Sequence, residues 1–201
     1  MEYLMQLPKE SIGQSFFNHE PIHVAQSLLG KIIAVPHSTN WLMVRIIETE
    51  AYYRKEKASH SSLGYTKKRK ALFMSPGTIY MYYARGGDSL NFSCQGEGNA
   101  VLIKSGYPIF LKDDAIDTRK VMQSNNPNRN GSRRSIAKLC AGQTLLCKSL
   151  NLKVSDWDTK QLTPNLLELW DDYYFPEKII QTRRLGIPPA RDAHLPYRFI
   201  D

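Results

Sequence analysis

The chain has 201 residues, 42% of them hydrophobic and 23% charged, a size and balance that fit one globular domain and exclude an intrinsically disordered chain. No apolar run approaches the roughly eighteen residues of a membrane-spanning helix, and the opening Met1–Pro8 has neither a basic region nor a long apolar one, so no signal peptide is expected. Lysine plus arginine is 27 against 19 acidic residues, and the resulting +8 suits a polyanionic partner, most often nucleic acid.

In chain order, residues 22–29 predict a short helix stopped by Gly30. Lys31 to Pro36 and Trp41 to Tyr53 read as strands joined by the polar turn at residues 37–40. Residues 54–70 are polar, end in Lys67-Lys68-Arg69-Lys70, and predict a long exposed loop. After the turn Ser75-Pro76-Gly77, strands are expected at Thr78 to Tyr83, Leu90 to Cys94 and Ala100 to Gly106, with Gly86-Gly87-Asp88 as a hairpin tip. Helices are expected at Asp113 to Gln123 and within Gln143 to Leu150, around a surface loop at 124–131. Strand returns near Leu167 to Trp170 and Lys178 to Arg184. Strands cluster between short helices without a βαβ rhythm, which predicts an α+β fold with a mostly antiparallel sheet, in one domain spanning residues 1–201.

Chemistry concentrates in Ile46-Ile47-Glu48-Thr49-Glu50-Ala51-Tyr52-Tyr53. Strand alternation places Glu48, Glu50 and Tyr52 on one face and Ile47, Thr49 and Ala51 on the other. A carboxylate entering from an apolar strand can serve as a general base, because partial burial tunes its pKa towards neutrality; a charged face on a half-exposed strand explains the same pattern. Spacing does not choose between Glu48 and Glu50. Tyr80 and Tyr82 share a strand face and suit base stacking, although strand tyrosines also fill half-buried sheet surfaces. The histidines have no metal-ligand spacing, and Gln95-Gly96-Glu97-Gly98 lacks the strand-then-helix context of a phosphate loop, so neither metal nor nucleotide cofactor is expected. Cys94, Cys140 and Cys147 are odd in number and without CxxC spacing, which fits buried free thiols in a reducing cytoplasm.

Taken together, Glu48-Thr49-Glu50-Ala51-Tyr52, Ala58-x-His60-Ser61, Phe73-Met74-x-Pro76-Gly77-Thr78-Ile79-Tyr80-Met81-Tyr82, Asn91 and Gln95-Gly96-Glu97-Gly98 resemble the alkyladenine (3-methyladenine) DNA glycosylase family. Leu139-Cys140-Ala141-Gly142, Arg184-Leu185-Gly186-Ile187 and Pro196-Tyr197-Arg198-Phe199 match its later landmarks, so the resemblance runs from about residue 13 to 201. It implies a compact domain around a curved antiparallel sheet, with a protruding hairpin that enters the DNA minor groove. It also implies a cytoplasmic, monomeric, monofunctional enzyme that flips damaged purines out of double-stranded DNA and hydrolyses their glycosidic bonds without a cofactor.

Carried over residue by residue, the resemblance makes Glu50 the general base. Tyr52 and His60 become one wall around the flipped base and Tyr82 the other, with Asn91 the floor that rejects a guanine amino group and the Ile187 carbonyl a water ligand. Lys104 stands where many members have a water-holding arginine and lacks its planar fork. The hairpin is one residue shorter than the family pattern, and Arg85 takes the place of the aromatic wedge, with Ala84 and Tyr83 as alternatives. Lys67, Lys68, Arg69 and Lys70, with Arg133-Arg134 and Arg183-Arg184, become candidate phosphate contacts. A nucleic-acid-binding module without activity is the competing reading, since the fold is similar to the C-terminal domain of methionyl-tRNA formyltransferase.

Overall fold

Strand β3 (Asn40–Tyr52) is the spine of the structure. The computed structural model describes residues 9–84, 86–111 and 115–201. One edge of β3 pairs along its length with β6 (Ala100–Ile109). The other edge is shared: β2 (Ile32–His37) covers residues 40–45, and β9 (Arg198–Ile200) covers Glu48 to Glu50. Beyond β6 lie β5 (Gly87–Ser93) and then β4 (Ile79–Ala84); beyond β2 lie β7 (Glu168–Asp171) and β1 (Glu10–Ser11). β8 (Ile180–Thr182) pairs with β9, and every pairing among these nine strands is antiparallel. The expected α+β class with a mostly antiparallel sheet is therefore what the chain forms.

Helix α1 (Pro21–Ser27) packs on β3, with Pro21 at its first turn where a missing N–H costs nothing. Helix α2 (Ala115–Asn125), a single turn α3 (Ile136–Leu139), α4 (Gln143–Ser149) and the turn α5 (Val154–Trp157) pack around the other strands. The main core joins Val24 and Ala25 of α1, Leu146 and Cys147 of α4, Ile79 and Met81 of β4, and Val101 and Ile103 of β6. Phe17 stacks on Phe92 beneath β5, with ring centres 4.8 Å apart. All three cysteines are buried free thiols, as their spacing suggested, and burial pushes each pKa upwards.

β3 changes parity midway. Leu42, Val44 and Ile46 face the main core, but after Ile46 the residues on that side are Thr49, whose hydroxyl donates to Ala25 O at 2.7 Å, and Ala51. Two register shifts against β6, between Ile46 and Glu48 and between Glu48 and Thr49, produce the change. Without them the even positions would keep pointing into the helix layer, and Glu50 and Tyr52 with them. Gly106, paired with Ile46 beside the irregularity, lets the strands close up. A Cβ there would collide with Val44 Cγ1 and stand 2.9 Å from the Arg45 carbonyl.

Several local features differ from the sequence-based expectation. Residues 54–70 are not simply an exposed loop: Glu56, Ala58, Ser59 and Ser61 are buried, and short 3-10 helices run over His60–Leu63 and Lys67–Phe73. The second of these begins with exposed Lys67, Lys68 and Lys70 and ends with buried Ala71 and Leu72, so chain polarity conceals an anchored segment. The hairpin turn comes earlier than residues 86–88, because Gly87 and Asp88 already pair with Ala84 and Tyr83. Gly86, at φ 81°, supplies the left-handed turn position, whereas Gly87 is needed for closeness, its Cβ position lying 2.7 Å from Thr144 Cβ of α4. Within the 124–131 loop, Asn126 is 1% exposed and its amide bridges Leu139 O and Leu145 O. β9 and α5 are too short to carry a periodic signal, and the tail strand is confined to Ile180–Thr182. The helix expected from Asp113 begins, among described residues, at Ala115 and runs to Asn125.

Gly106→Ala should destabilise the fold by about 1–3 kcal/mol through overpacking against β3, read as a lower denaturation midpoint with an unchanged m-value.

Candidate active site

The parity change delivers Glu50 and Tyr52 to the floor of a cavity of about 320 Å³ on the sheet face away from α1. That volume is at the small end of ligand sites, roughly 300–1,000 Å³. β4 contributes Tyr80, Tyr82 and Ala84; β5 contributes Asn91; β6 contributes Ala100, Leu102 and Lys104. Gln143 and two segments, 58–60 and 185–188, complete the rim together with Arg191.

Glu50 is 0% exposed. Its Oε2 accepts the Tyr52 hydroxyl at 2.7 Å, while Oε1 has no hydrogen-bond partner. Lys104 Nζ stands 3.3 Å from that oxygen, close enough for charge attraction but out of hydrogen-bond geometry. Burial, and then the Glu50 charge, push the Tyr52 hydroxyl far above its ordinary pKa, so it remains a donor. Glu48 is occupied otherwise: Oε2 accepts from Ser105 Oγ at 2.6 Å and Oε1 from Arg198 Nε at 2.5 Å. The two glutamates that spacing could not separate thus differ in position. Glu48 is tied to β6 and β9, whereas Glu50 lines the cavity with one oxygen that has the Lys104 charge nearby and no hydrogen bond among the described residues.

The aromatic walls group differently from the expectation. His60 touches Tyr82, ring centres 4.7 Å apart at 63°, so no base fits between them as they stand. The two form one wall together with Tyr80, whose hydroxyl is 2.9 Å from His60 Nδ1 and whose ring centre is 5.6 Å from that of Tyr82. Gln143 Nε2 donates to the Tyr82 hydroxyl at 3.3 Å and to Ser89 Oγ at 2.9 Å. Asn91 is anchored by its amide, which donates to Tyr80 O at 3.0 Å. Ile187 lies on the rim, far from Glu50 in sequence but close through the return of the chain along β9.

Several basic residues are already engaged. Arg184 is 4% exposed and forms a buried ion pair with Glu56, so it is withdrawn from any phosphate. Arg69 Nη1 donates to Leu63 O and Gly64 O at 3.1 and 2.8 Å and holds its own loop. Arg134 likewise donates to Asn126 O and Pro127 O. Lys67, Lys68 and Lys70 are exposed. Arg85 lies outside the described residues; of the two residues before it, Tyr83 is 69% exposed and Ala84 lines the cavity. Among described residues no His/Cys/Asp/Glu cluster could hold a metal ion, and no helix is long and apolar enough to cross a membrane.

A family model described as Methylpurine-DNA glycosylase (MPG) matches residues 15–201. The chain belongs to the methylpurine-DNA glycosylase family. Curated relatives named "Putative 3-methyladenine DNA glycosylase" are similar over most of their length. The protein from Pseudomonas aeruginosa strain LESB58 is 56% identical over 190 residues, 94% of this chain and 80% of the relative. That from Pseudomonas syringae pv. tomato is 57% identical over 191 residues, covering 95% and 86%. A Francisella tularensis protein is 30% identical over 184 residues, covering 89% and 88%. The glycosylase resemblance drawn from the sequence motifs is thereby shown at the level of the family.

His60 sits at the cavity mouth, and partial burial, followed by Arg69 and Arg191, lowers its pKa below the ordinary value of 6.5. The unfolded chain then binds more protons at this site than the folded one, so the stability tied to neutral His60 is present above about pH 6.5 and lost as pH falls through the folded pKa. His60→Gln should flatten the decline in stability between pH 7 and 5, measured by denaturant unfolding at several pH values.

Proposed function

We propose that the chain is a monofunctional DNA glycosylase that hydrolyses the N-glycosidic bond of alkylated or deaminated purines in double-stranded DNA, as a cytoplasmic monomer in base-excision repair. The observation that carries this reading is a fully buried carboxylate lining a base-sized cavity walled by aromatic rings, one oxygen held by Tyr52 and the other, 3.3 Å from the Lys104 ammonium group, without a hydrogen bond among the described residues. A module that only binds nucleic acid has no use for a buried carboxylate beside base-stacking rings, since taking its charge out of water costs stability.

In the proposed reaction the target nucleotide leaves the stack at a cost of a few kcal/mol. Its base enters between Tyr52 and the His60–Tyr82 pair, where a cationic alkylpurine is attracted by the ring faces. Asn91 lies at the inner end of this slot and limits which purine edges fit. The bond from C1′ to the base nitrogen breaks with its electron pair departing on the base, and the sugar becomes oxocarbenium-like. A cationic alkylpurine leaves neutral; a deaminated purine leaves neutral after a ring nitrogen has taken a proton from solvent, which is balanced when Glu50 later returns its proton to solvent. Water at the open Glu50 oxygen forms the new bond to C1′ and gives its proton to that carboxylate, yielding a free base and an abasic site. Lys104 is assigned to hold the water and Glu50 in register, with the Ile187 carbonyl as a further acceptor for the water. No redox or electron-sink step is involved, so the scheme needs no cofactor.

Exposed Lys67, Lys68 and Lys70 are assigned to phosphates, with Arg69 shaping the turn that displays them. Arg85 is assigned to the gap left by the flipped base, because Ala84 is too small and faces the cavity.

Glu50→Gln keeps the shape and the Tyr52 contact but removes the base, so free-base release from 3-methyladenine, 1,N6-ethenoadenine or hypoxanthine duplexes should fall by about 10²–10⁴-fold with affinity for the damaged duplex retained. Full turnover by this variant would refute the assignment of Glu50. Neutralising Lys67, Lys68 and Lys70 to Gln should reduce the log–log salt dependence of duplex binding by about 0.9 for each phosphate that is no longer neutralised, alike on all sequences. An unchanged slope would remove this turn from the interface.

A further inference from the structure

The Glu56–Arg184 pair has no part in the scheme above, yet it touches three things that shape the cavity. Arg184 Nη1 donates to Glu56 Oε1 at 2.9 Å and to the Ala51 carbonyl at 2.8 Å, and Nη2 donates to Glu56 Oε2. The guanidinium lies 4.4 Å from the centre of the Tyr52 ring and 5.5 Å from that of Tyr197. Glu56 is 5% exposed, and its Oε1 also takes the Tyr53 N–H at 2.6 Å. Two neighbouring contacts run the same way: Lys57 N–H donates to Asp192 Oδ2 at 2.7 Å, and Arg191 Nε donates to Lys57 O at 2.8 Å.

Stability gives a weak reason for such a pair. Two charges taken out of water gain little over an apolar replacement of the same volume, and here Arg184 Nε is buried with no hydrogen-bond partner at all. Placement gives a stronger one. Tyr52 is held at its hydroxyl by Glu50 and across one ring face by Arg184, which leaves only the other face for a stacking partner. The residues just after Arg184, Leu185 to Pro188, are cavity rim, and the residues just after Glu56 lead to Ala58, Ser59 and His60 on the same rim. Arginine suits this place for its shape, since only a planar fork can grip a carboxylate and a carbonyl while lying on a ring.

We infer that Arg184, clamped by Glu56, is a positioning residue for base capture: it fixes the plane of Tyr52 and docks the 185–188 segment, and so sets the width of the slot. The inference rests on the reading of this cavity as a base slot. Arg184 acts through Tyr52 and touches no reacting atom.

The test compares wild type, R184K and E56D, each alone and in a Tyr52→Leu background, all verified as folded by circular dichroism. R184K keeps the charge without the fork or the flat face. E56D keeps the ion pair but draws Arg184 back by one methylene, and it serves should R184K not fold. The readouts are single-turnover release from a duplex carrying a lesion that wild type excises, and binding to that duplex and to its undamaged counterpart. The expected result is a loss of about tenfold in preference for the damaged duplex, with undamaged binding unchanged, and disappearance of that loss when Tyr52 is already leucine. A preference equal to wild type in both variants would overturn the inference, as would an equal loss in both backgrounds, which is what a merely structural role produces. Wild type that binds the duplexes but releases no base from any damaged purine would overturn the glycosylase reading itself, a result distinct from either of these.

Discussion

A carboxylate shut away from water has to be compensated by its surroundings, and the arrangement around Glu50 follows from that requirement. The side chain is 0% exposed and, among the described residues, receives one hydrogen bond, from Tyr52. Lys104 supplies opposite charge at 3.3 Å without taking up the second oxygen. Glu48, two residues earlier on the same strand, is bonded at both oxygens instead, by Ser105 and Arg198. The second oxygen of Glu50 retains hydrogen-bonding capacity beside an ammonium group, which is the feature the proposed reaction uses.

The bulged register between β3 and β6 makes that burial possible. It sends Leu42, Val44 and Ile46 into the helix-covered core and then turns Glu50 and Tyr52 to the opposite face. β9 completes the edge of β3 that β2 leaves uncovered, and it carries Arg198 to Glu48. The outer edge of β4 is also occupied, by backbone bonds from Ile79 to Thr159 and Lys160, so the strand bearing Tyr80 and Tyr82 is braced on both sides.

Most of the fold is legible in local pattern. The alternation in Glu48 to Tyr52 and in Tyr80 to Tyr82 gives the right faces, and the helices at α1 and α4 fall where their apolar spacing and flanking glycines place them. The hairpin tip is displaced because Gly86 and Gly87 look alike in sequence while one serves a left-handed turn and the other a close approach to α4. The charged segments are harder. Arg184 and Arg69 read as surface because their partners, Glu56 and the carbonyls of residues 63 and 64, are revealed only by tertiary contact. The choice between Glu48 and Glu50 is likewise not legible from spacing, since it depends on Arg198, 150 positions away from Glu48.

That separation has a consequence for how the molecule comes into being. The segment bearing Glu50 leaves the ribosome long before the residues that enclose it, since Arg184 joins Ala51 across 133 positions and Glu56 across 128. Until β9 and the 184–192 segment have emerged, the nascent β3 has a bare edge and its acidic side chains are hydrated and unpaired. Closing such distant contacts is slow relative to forming hairpins, so the cavity should be among the last parts to order. An incomplete chain would therefore lack the dry pocket.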